Sequence, residues 1–288
     1  MRKNVIALTC VGATALAVGS ANAALVGHYK FEETSGTTLA DSSGNGYDGN
    51  VVGSGDLNVA GIVGSAYEPG GSNSYGRVTD GVSDFGISGN AARTISLWFN
   101  SPNFGGSSDQ YRLIGMGSGA AGSFDIVAEA GTNAGGTARI GVRYGNGNTY
   151  YDVDNAGNPL PTNTWTHVAV AYDGTTLDLE GVGATSDGVG LSVYINGVLI
   201  DRDGGNGNNG TQSLNTTLTE FAIGSAINGG SHSIYPGLLD DIQVYDEALS
   251  GSQIASLFNN PGTVIPEPSS LALLGAGGLF MLKRRKRA

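Results

Sequence analysis

Apolar and polar residues alternate every second position in several short stretches of this chain. At 94–100 the sequence reads TISLWFN, with Ile95, Leu97 and Phe99 on one side of the alternation and Trp98 on the other. Successive side chains of a β-strand point to opposite faces of a sheet. This period of two therefore predicts a strand with one continuous apolar face.

The same period recurs along most of the chain and predicts an all-β protein. The first strand is predicted at Leu25–Glu32, and others at 50–52, 94–100, 112–116, 124–128, 138–144, 165–173, 191–200, 221–224 and 238–245. Clusters of Gly, Asn, Asp and Ser separate these runs, as expected of turns. Asn196-Gly197 is a hairpin signal, and Ser250 with Gln253 forms a capping box that predicts a short helix ending at Phe258.

Residues 1–23 have the organisation of a secretory signal peptide. Arg2 and Lys3 give a basic start, an apolar stretch follows, and Ala21-Asn22-Ala23 is an A-x-A cleavage site. Cleavage after Ala23 removes Cys10, the only cysteine of the chain. The mature protein is therefore expected to have no disulfide.

Residues 266–288 combine three different segments. Pro266-Glu267-Pro268 interrupts regular structure, because each proline fixes φ and lacks an N–H donor. Residues 269–282 contain no charge and predict a short hydrophobic helix, and 283–287 are five consecutive Lys and Arg residues. A helix over Leu271–Leu282 is only about 18 Å long, against roughly 30 Å for a bilayer core. This design suits a signal that is recognised and cut better than a permanent anchor, with its basic end cytoplasmic.

The order of Pro-Glu-Pro, apolar helix and basic end, which includes Arg284 and Arg285, resembles the sorting signal of PEP-CTERM proteins. The resemblance implies an exported bacterial protein whose tail is read by a membrane-embedded exosortase. It also implies transient insertion in the inner membrane through the tail, and a final location in the cell envelope, at the surface or outside the cell. The alternative is an ordinary short tail anchor.

Between these two ends the chain is acidic and rich in glycine. Residues 24–265 carry seven Lys and Arg against 24 Asp and Glu, a net charge of −17. Such a chain disfavours nucleic acid and anionic lipid surfaces as partners. Glycine accounts for 49 of 288 residues without a Gly-X-Y repeat, which excludes collagen. Residues 24–258 suffice for one large sandwich, and 259–265 are predicted to be a linker.

Three segments of the body resemble the laminin-G-like, concanavalin-type jelly roll of bacterial surface proteins. They are HYKFEETSGTTLADSSGNGYDG near the start, WTHVAVAYDG with LSVYINGVLI in the middle, and GLLDDIQVYDEALSGSQIASLF at the end. The resemblance implies two antiparallel sheets packed face to face over 24–258. The number and spacing of the predicted strands favour the same architecture.

In related jelly rolls a structural Ca²⁺ joins the first strand region to an Asp that opens the closing strand. The resemblance places Asp240 in that position, with Glu32 and Asp41 as the expected contributors from the N-terminal side. Calcium takes about six to eight oxygen ligands, and here it would tie the chain ends together without a disulfide. The alternative is that Asp240 and Asp241 form a solvated edge.

Aromatic residues near polar loops are candidates for a glycan-binding face, since a sugar ring stacks on their apolar surface while polar groups bind its hydroxyls. The candidates are Trp98, Tyr150, Tyr151 and Tyr235. The alternative for each is a place in the core or at a sheet edge.

Catalytic signals are weak. Glycanases of this sandwich type carry E-x-D-x-x-E on one strand, and the nearest run, FDIVAE at 124–129, lacks the first Glu. Asp125 and Glu129 share a strand face but lie about 13 Å apart along it, against about 5–5.5 Å in a retaining pair. The sequence thus favours an exported, non-enzymatic module that binds polysaccharide or an envelope partner. The alternatives are a glycan hydrolase or lyase, and a structural matrix protein without a specific ligand.

Overall fold

The computed structural model describes residues 23–71, 73–80, 82–102, 110–117, 122–129, 139–145, 149–153, 160–175, 177–179, 190–200, 210–212, 214–227 and 234–266. Regular structure within these ranges is almost entirely β-strand. In chain order the strands are β1 (Leu25–Tyr29), β2 (Thr38–Leu39), β3 (Gly49–Val52), β4 (Asp56–Ala60), β5 (Ser65–Glu68), β6 (Tyr75–Val78), β7 (Arg93–Asn100), β8 (Gln110–Met116), β9 (Ser123–Glu129), β10 (Arg139–Gly145), β11 (Thr149–Val153), β12 (Thr166–Tyr172), β13 (Leu177–Leu179), β14 (Leu191–Ile195), β15 (Val198–Leu199), β16 (Gly210–Gln212), β17 (Phe221–Ile223) and β18 (Leu238–Tyr245). A 3₁₀ turn at Val82–Phe85 and the helix α1 at Gly251–Asn259 complete the described elements.

Two antiparallel sheets of eight strands each form a sandwich. The first sheet has the order β15-β14-β12-β7-β18-β5-β4, with β1 also paired to β18. The second sheet has the order β11-β10-β9-β8-β17-β6-β3-β2, and β13 pairs separately with β16. This architecture confirms the all-β sandwich prediction and is consistent with a jelly roll.

The core lies between the two sheets and is built from the inward-facing residue of each alternation. Ile95, Leu97 and Phe99 of β7 are fully buried in it, as the sequence predicts. The second sheet contributes Phe124 and Phe221 to the same cluster. Aromatic and branched side chains from both sheets thus replace the disulfides that the chain lacks.

The outward face of the first sheet is covered by α1. Ser250 caps this helix with the predicted capping box, in which its hydroxyl accepts from the Gln253 N–H and its own N–H donates to Gln253 Oε1 at 2.8 Å. Ile254 of α1 is fully buried against the sheet. The ring of Phe258 stacks on Trp98 with a centroid distance of 5.7 Å.

The segment after α1 is attached to strand β18 and is not a free linker. The Gly262 N–H donates to Asp241 Oδ2 at 2.7 Å, and Gln243 Nε2 donates to the Thr263 carbonyl at 2.9 Å. The Ile265 N–H donates to the Tyr245 hydroxyl at 3.1 Å. The described chain therefore remains bound to the sandwich up to the residue before Pro266.

Candidate functional site

The outward face of the second sheet carries charged side chains on neighbouring strands. On β9, Phe124 and Ile126 point into the core, so the alternation turns Asp125 and Glu129 outward. The structure thus confirms that these two carboxylates share a strand face.

Basic and amide side chains of the neighbouring strands hold both carboxylates. Arg112 Nε of β8 donates to Asp125 Oδ2 at 3.0 Å. Gln110 Nε2 donates to Glu129 Oε1 at 2.9 Å, and Arg143 Nη2 of β10 lies 3.7 Å from the same oxygen. Asp125 is 7% exposed and Glu129 2%. Because unpaired buried charges are costly, these contacts are needed to keep charge on this face.

The pKa of Asp125 reflects this competition. Burial raises it above the ordinary value, and the charges of Arg112 and Arg143 oppose the rise because they favour the carboxylate. Asp125 and Glu129 remain four residues apart on one strand, each facing a guanidinium. The pair itself gives no geometric sign of the close acid and nucleophile that a retaining glycosidase needs.

The same face continues across the sheet to β6. The register joins Arg77 to Ala222, Ala222 to Gly115, and Gly115 to Asp125, in one row. Arg77 has 45% of its side chain exposed, and its Nε donates to Glu220 Oε2 at 2.9 Å.

An aromatic residue accompanies the Arg77 pair. Tyr75 lies two positions before Arg77 on β6 and therefore shares its face. Burial and the charge of Glu220 raise the pKa of the Tyr75 hydroxyl.

We call the outward set of the second sheet the ion-pair face, and its members are Arg77, Glu220, Arg112, Asp125, Glu129 and Arg143. It holds three of the seven Lys and Arg residues of 24–265. The ion-pair face therefore has as many cations as anions, whereas residues 24–265 as a whole are acidic.

Two of the four predicted ligand-binding aromatics are packed inside the protein. Trp98 is 6% exposed, and Phe258 stacks on its ring. Tyr235 is fully buried and packs edge-on against Phe99 at 6.3 Å. The prediction for both residues needs correction, because the flat ring surface that a sugar would contact is already covered by protein.

The other two aromatics lie on the edge strand β11. The register pairs Tyr150 with Arg143 and Tyr151 with Val142. Directly opposite residues of antiparallel strands share a face. The side chains of Tyr150 and Tyr151 lie outside the described ones, so their role in ligand binding stays a prediction.

A bulge in β18 redirects two consecutive carboxylates. The register with β7 shifts between Asp240 and Gln243, and Asp241 has a φ of 47°. Asp240 Oδ2 accepts from the N–H groups of Ile62 at 2.8 Å and Val63 at 3.1 Å. Burial raises the pKa of Asp240 to about 7, although these N–H donors favour its ionised form.

Glu32 reaches the same turn as Asp240. Its Oε2 accepts from the Ser65 N–H at 3.4 Å, and its carboxylate lies against Gly64. Turn 61–65 is therefore contacted by two of the three predicted calcium ligands.

Asp41 lies in a different turn. Its oxygens accept from the N–H groups of His28, Ser43 and Tyr47. Within the described ranges, no three His, Cys, Asp or Glu side chains gather as a metal cluster. A calcium site at turn 61–65 would therefore draw its remaining ligands from backbone carbonyls and water.

Asp241 serves the C-terminal end of the domain. Its Oδ1 lies 2.7 Å from His28 Nε2 and accepts from Gln243 Nε2 at 2.9 Å. Burial works to raise the pKa of Asp241, but the hydrogen bonds from His28, Gly262 and Gln243 outweigh it and lower that pKa. Asp240 is 1% and Asp241 4% exposed, so neither belongs to a solvated edge.

Most of the predicted sorting signal lies outside the described residues. Pro266 is the last described position, and Glu267, Pro268, Arg284, Arg285 and the predicted helix at 269–282 follow it. Residues 1–22 of the predicted signal peptide are also outside the described ranges. No helix of the part that is described is long and apolar enough to cross a bilayer.

Sequence reasoning missed the ion-pair face as a unit. Arg112, Asp125 and Arg143 each occupy the non-core position of an alternating run, which was visible in the sequence. Their side-by-side position depends on β8, β9 and β10 being neighbours in this register. That information is not contained in any single run.

Comparison with known families identifies two regions of the chain. Residues 69–255 match the family Laminin_G_3, described as the concanavalin A-like lectin/glucanases superfamily. Residues 264–287 match the PEP-CTERM protein-sorting motif. No curated protein matches this sequence.

Several solved structures share the fold. Domain 4 of AbnA, a GH43 extracellular arabinanase from Geobacillus stearothermophilus in complex with arabinotriose, is 23% identical, with a TM-score of 0.57 and coverage of 82% of this chain and 99% of that one. The binding domain of botulinum neurotoxin DC in complex with SialylT is 17% identical, with a TM-score of 0.53 and coverage of 82% and 51%. Trypanosoma rangeli sialidase, in complex with 2,3-difluorosialic acid, is 15% identical, with a TM-score of 0.50 and coverage of 82% and 32%.

The ion-pair face predicts a specific change in titration. Arg112→Met keeps an extended side chain but removes the charge beside Asp125, so we expect the pKa of Asp125 to rise further and the domain to lose about 3 kcal/mol at neutral pH. A folded pKa above the unfolded value gives stability that is complete below about 3.9 and is lost as pH rises through the folded pKa. In the variant this loss of stability extends to higher pH, because the folded pKa of Asp125 is higher. NMR titration of the Asp125 carboxyl carbon measures that pKa.

The matched control is Arg77→Met, which removes a charge from the separate pair with Glu220. It should leave the titration of Asp125 in place. An unchanged Asp125 titration in Arg112→Met would contradict the assignment of this pair.

Proposed function

Since the chain belongs to the concanavalin A-like lectin/glucanases superfamily, we propose that it is an exported, non-enzymatic module that binds extracellular polysaccharide or another envelope component through the ion-pair face. The PEP-CTERM motif indicates export and exosortase-dependent sorting to the cell envelope or surface. Transient insertion of the tail in the inner membrane, and its removal near Pro266, are part of the proposal.

The observation that carries this proposal is that different groups occupy the outward faces of the two sheets. On the first sheet, α1 and residues 260–265 occupy the outward face, with Ile254 fully buried beneath them. On the second sheet, arginine–carboxylate pairs occupy that face. The chain's own helix does not cover this face, and its most exposed member is Arg77, whereas Asp125, Glu129 and Arg143 are 7% exposed or less.

The chemistry of the ion-pair face suits sugar hydroxyls. A guanidinium offers several N–H donors in a fixed plane, and a carboxylate offers acceptors. Arg77 is the most accessible member, at 45% side-chain exposure, and Tyr75 lies beside it.

Two of the structures with this fold are complexes that fit this reading. Domain 4 of AbnA was solved with arabinotriose, and the botulinum binding domain with SialylT. At 23% and 17% identity these similarities establish the fold alone. They support a glycan ligand as the first class to test.

The rival proposals are a glycan hydrolase or lyase and a matrix protein without a specific ligand. The family description includes glucanases as well as lectins, so membership by itself permits catalysis. The spacing of Asp125 and Glu129 on β9 favours binding over retaining hydrolysis. A glycan array followed by a reducing-sugar assay on every hit separates the three. Binding without turnover supports the module, turnover supports the enzyme, and neither result supports the matrix protein.

A paired substitution localises the binding site. Arg112→Gln with Asp125→Asn removes one cation and one anion from the ion-pair face without leaving a lone buried charge. Affinity for the best array glycan should fall at least about tenfold, equivalent to about 1.4 kcal/mol, by isothermal titration. The matched control, Lys30→Gln with Asp56→Asn, removes the same charges elsewhere and should bind normally.

Circular dichroism and melting curves establish that both double variants fold. Should the face variant be unstable, Arg77→Gln tests the accessible end of the same surface. Normal affinity in folded face variants would contradict the proposed site.

We also propose that turn 61–65 holds a structural Ca²⁺ through Asp240 and Glu32. Asp240 is buried without a cationic partner among the ion pairs of the described residues, and burial raises its pKa to about 7. A divalent cation would offset that cost, and Glu32 is the second carboxylate at the turn.

Glu32→Gln tests the calcium proposal without removing a strong contact of the metal-free fold, since its one described hydrogen bond is 3.4 Å long. In the wild type, Ca²⁺ at about 100 times its dissociation constant should add about 2.7 kcal/mol of stability. Differential scanning fluorimetry in Ca²⁺ and in EDTA should show a clearly smaller melting shift for Glu32→Gln. Asp41→Asn, in the separate turn, should keep the full shift. An equal shift in Glu32→Gln and wild type would eliminate this site.

A further inference from the structure

The first residue of the mature domain lies against the end of the last strand. The Ala24 N–H donates to Asp246 Oδ1 at 2.9 Å, and the Asp246 N–H donates back to the Ala24 carbonyl at 3.2 Å. The strand pairing of β1 with β18 begins at the next residue, Leu25, opposite Tyr245. Position 24 is thus fixed by a two-way hydrogen bond before the sheet starts.

Two consecutive carboxylates meet at this position. Asp246 and Glu247 are both half-buried. Burial, and then the charge of Asp246, raise the pKa of Glu247. Neither residue takes part in an ion pair with another described residue. In the uncut chain a backbone hydrogen bond from Ala23 to Glu247 opposes this rise, and cleavage after Ala23 removes that bond from the acidic pair at the point where Ala24 docks.

Signal-peptide cleavage changes the nitrogen that occupies this position. Hydrolysis of the Ala23–Ala24 peptide bond adds OH to the Ala23 carbonyl carbon and a hydrogen to the Ala24 nitrogen. The resulting amine takes up a further proton at neutral pH, since an α-amino group has an ordinary pKa of about 7.7–8.0. The neutral N–H donor at 2.9 Å from Asp246 becomes an ammonium ion.

We propose that Asp246, assisted by Glu247, is a binding site for the chain's own α-ammonium group, which forms only when the leader is cut after Ala23. A charge-assisted hydrogen bond is shorter and about twice as strong as a neutral one. The free amine therefore makes the processed domain more stable than the same domain with an uncharged Ala24 nitrogen. The benefit arises after translocation, when the chain no longer needs to remain unfolded.

The surroundings leave the acidic pair as the electrostatic partner of this amine. The helix α1, which follows Glu247, has no titratable side chain in its sequence GSQIASLFN. The turn between β2 and β3 contributes the Asn45 amide, which donates to the Leu25 carbonyl at 2.9 Å, while the carboxylate of Asp41 in that turn is bound to backbone N–H groups. On β1 itself, His28 is engaged by Asp241, and Lys30 follows the strand.

The test compares two forms of chain 24–288 in the same mild detergent, one with a free Ala24 amine and one with Ala24 acetylated by co-expressed N-terminal acetyltransferase. Both lack Ala23, a buried member of the cluster that includes Tyr245, and acetylation replaces the ammonium ion with a neutral amide N–H that carries only a small acetyl group. At about pH 6 the free amine should melt about 2–4 °C higher. The raised amine pKa makes this difference complete below about pH 8, and it should disappear as pH rises through the folded pKa.

Asp246→Asn should abolish most of the difference between the two forms, whereas Asp56→Asn, an exposed acid of β4, should preserve it. A ¹⁵N-labelled Ala24 amine should titrate above about 8 in the free form. Equal melting temperatures of the two wild-type forms at about pH 6, or an amine that titrates at or below its ordinary value, overturns the proposal. So does intact-mass evidence that the exported protein begins at another residue.

Discussion

The packing of α1 and the following residues against the first sheet determines which outward sheet face the chain itself covers. A two-sheet sandwich buries one face of each sheet in its core and leaves two outward faces to be covered or solvated. Here the chain's own C-terminal segment covers one of them, through the Trp98–Phe258 stack and the burial of Ile254. We propose that a partner binds to the polar face of the other sheet.

Several buried charged groups of the described residues are paired with a group of opposite charge or with backbone donors. Arg112 meets Asp125, and Asp241 meets His28 and the backbone of Gly262. A buried ion pair often contributes little net stability, whereas removing one partner is costly. These contacts therefore fix where strands and ends lie, which is the role disulfides would play in another exported domain. The Asp241 contacts tie the first strand, the last strand and the segment before the sorting motif into one unit.

The sequence predicted the parts of the fold in which local pattern and tertiary packing agree. TISLWFN became β7 with the expected inward residues, and Asn196-Gly197 became a hairpin with φ values of 50° and 76°. The strands β4 to β6 were not predicted, because each is only four or five residues long. The sequence predicted Trp98 as a ligand-binding residue. The local pattern around Trp98 does not include Phe258, whose ring stacks on it from 160 positions later in the chain. Features contained in one strand could be predicted from the sequence. Prediction of the ion-pair face and of the Ala24–Asp246 contact would have required the strand order.

The claim that ligand binds the second sheet, and not the face covered by α1, is most directly tested by hydrogen exchange. Exchange is measured on the whole protein with and without its best-binding glycan. Ligand contact slows exchange of the backbone groups it covers. The account predicts slower exchange within 110–117, 122–129 and 139–145, with no change at 251–266. Protection confined to α1 and the segment after it, with the second sheet unaffected, would contradict the assignment of the binding surface.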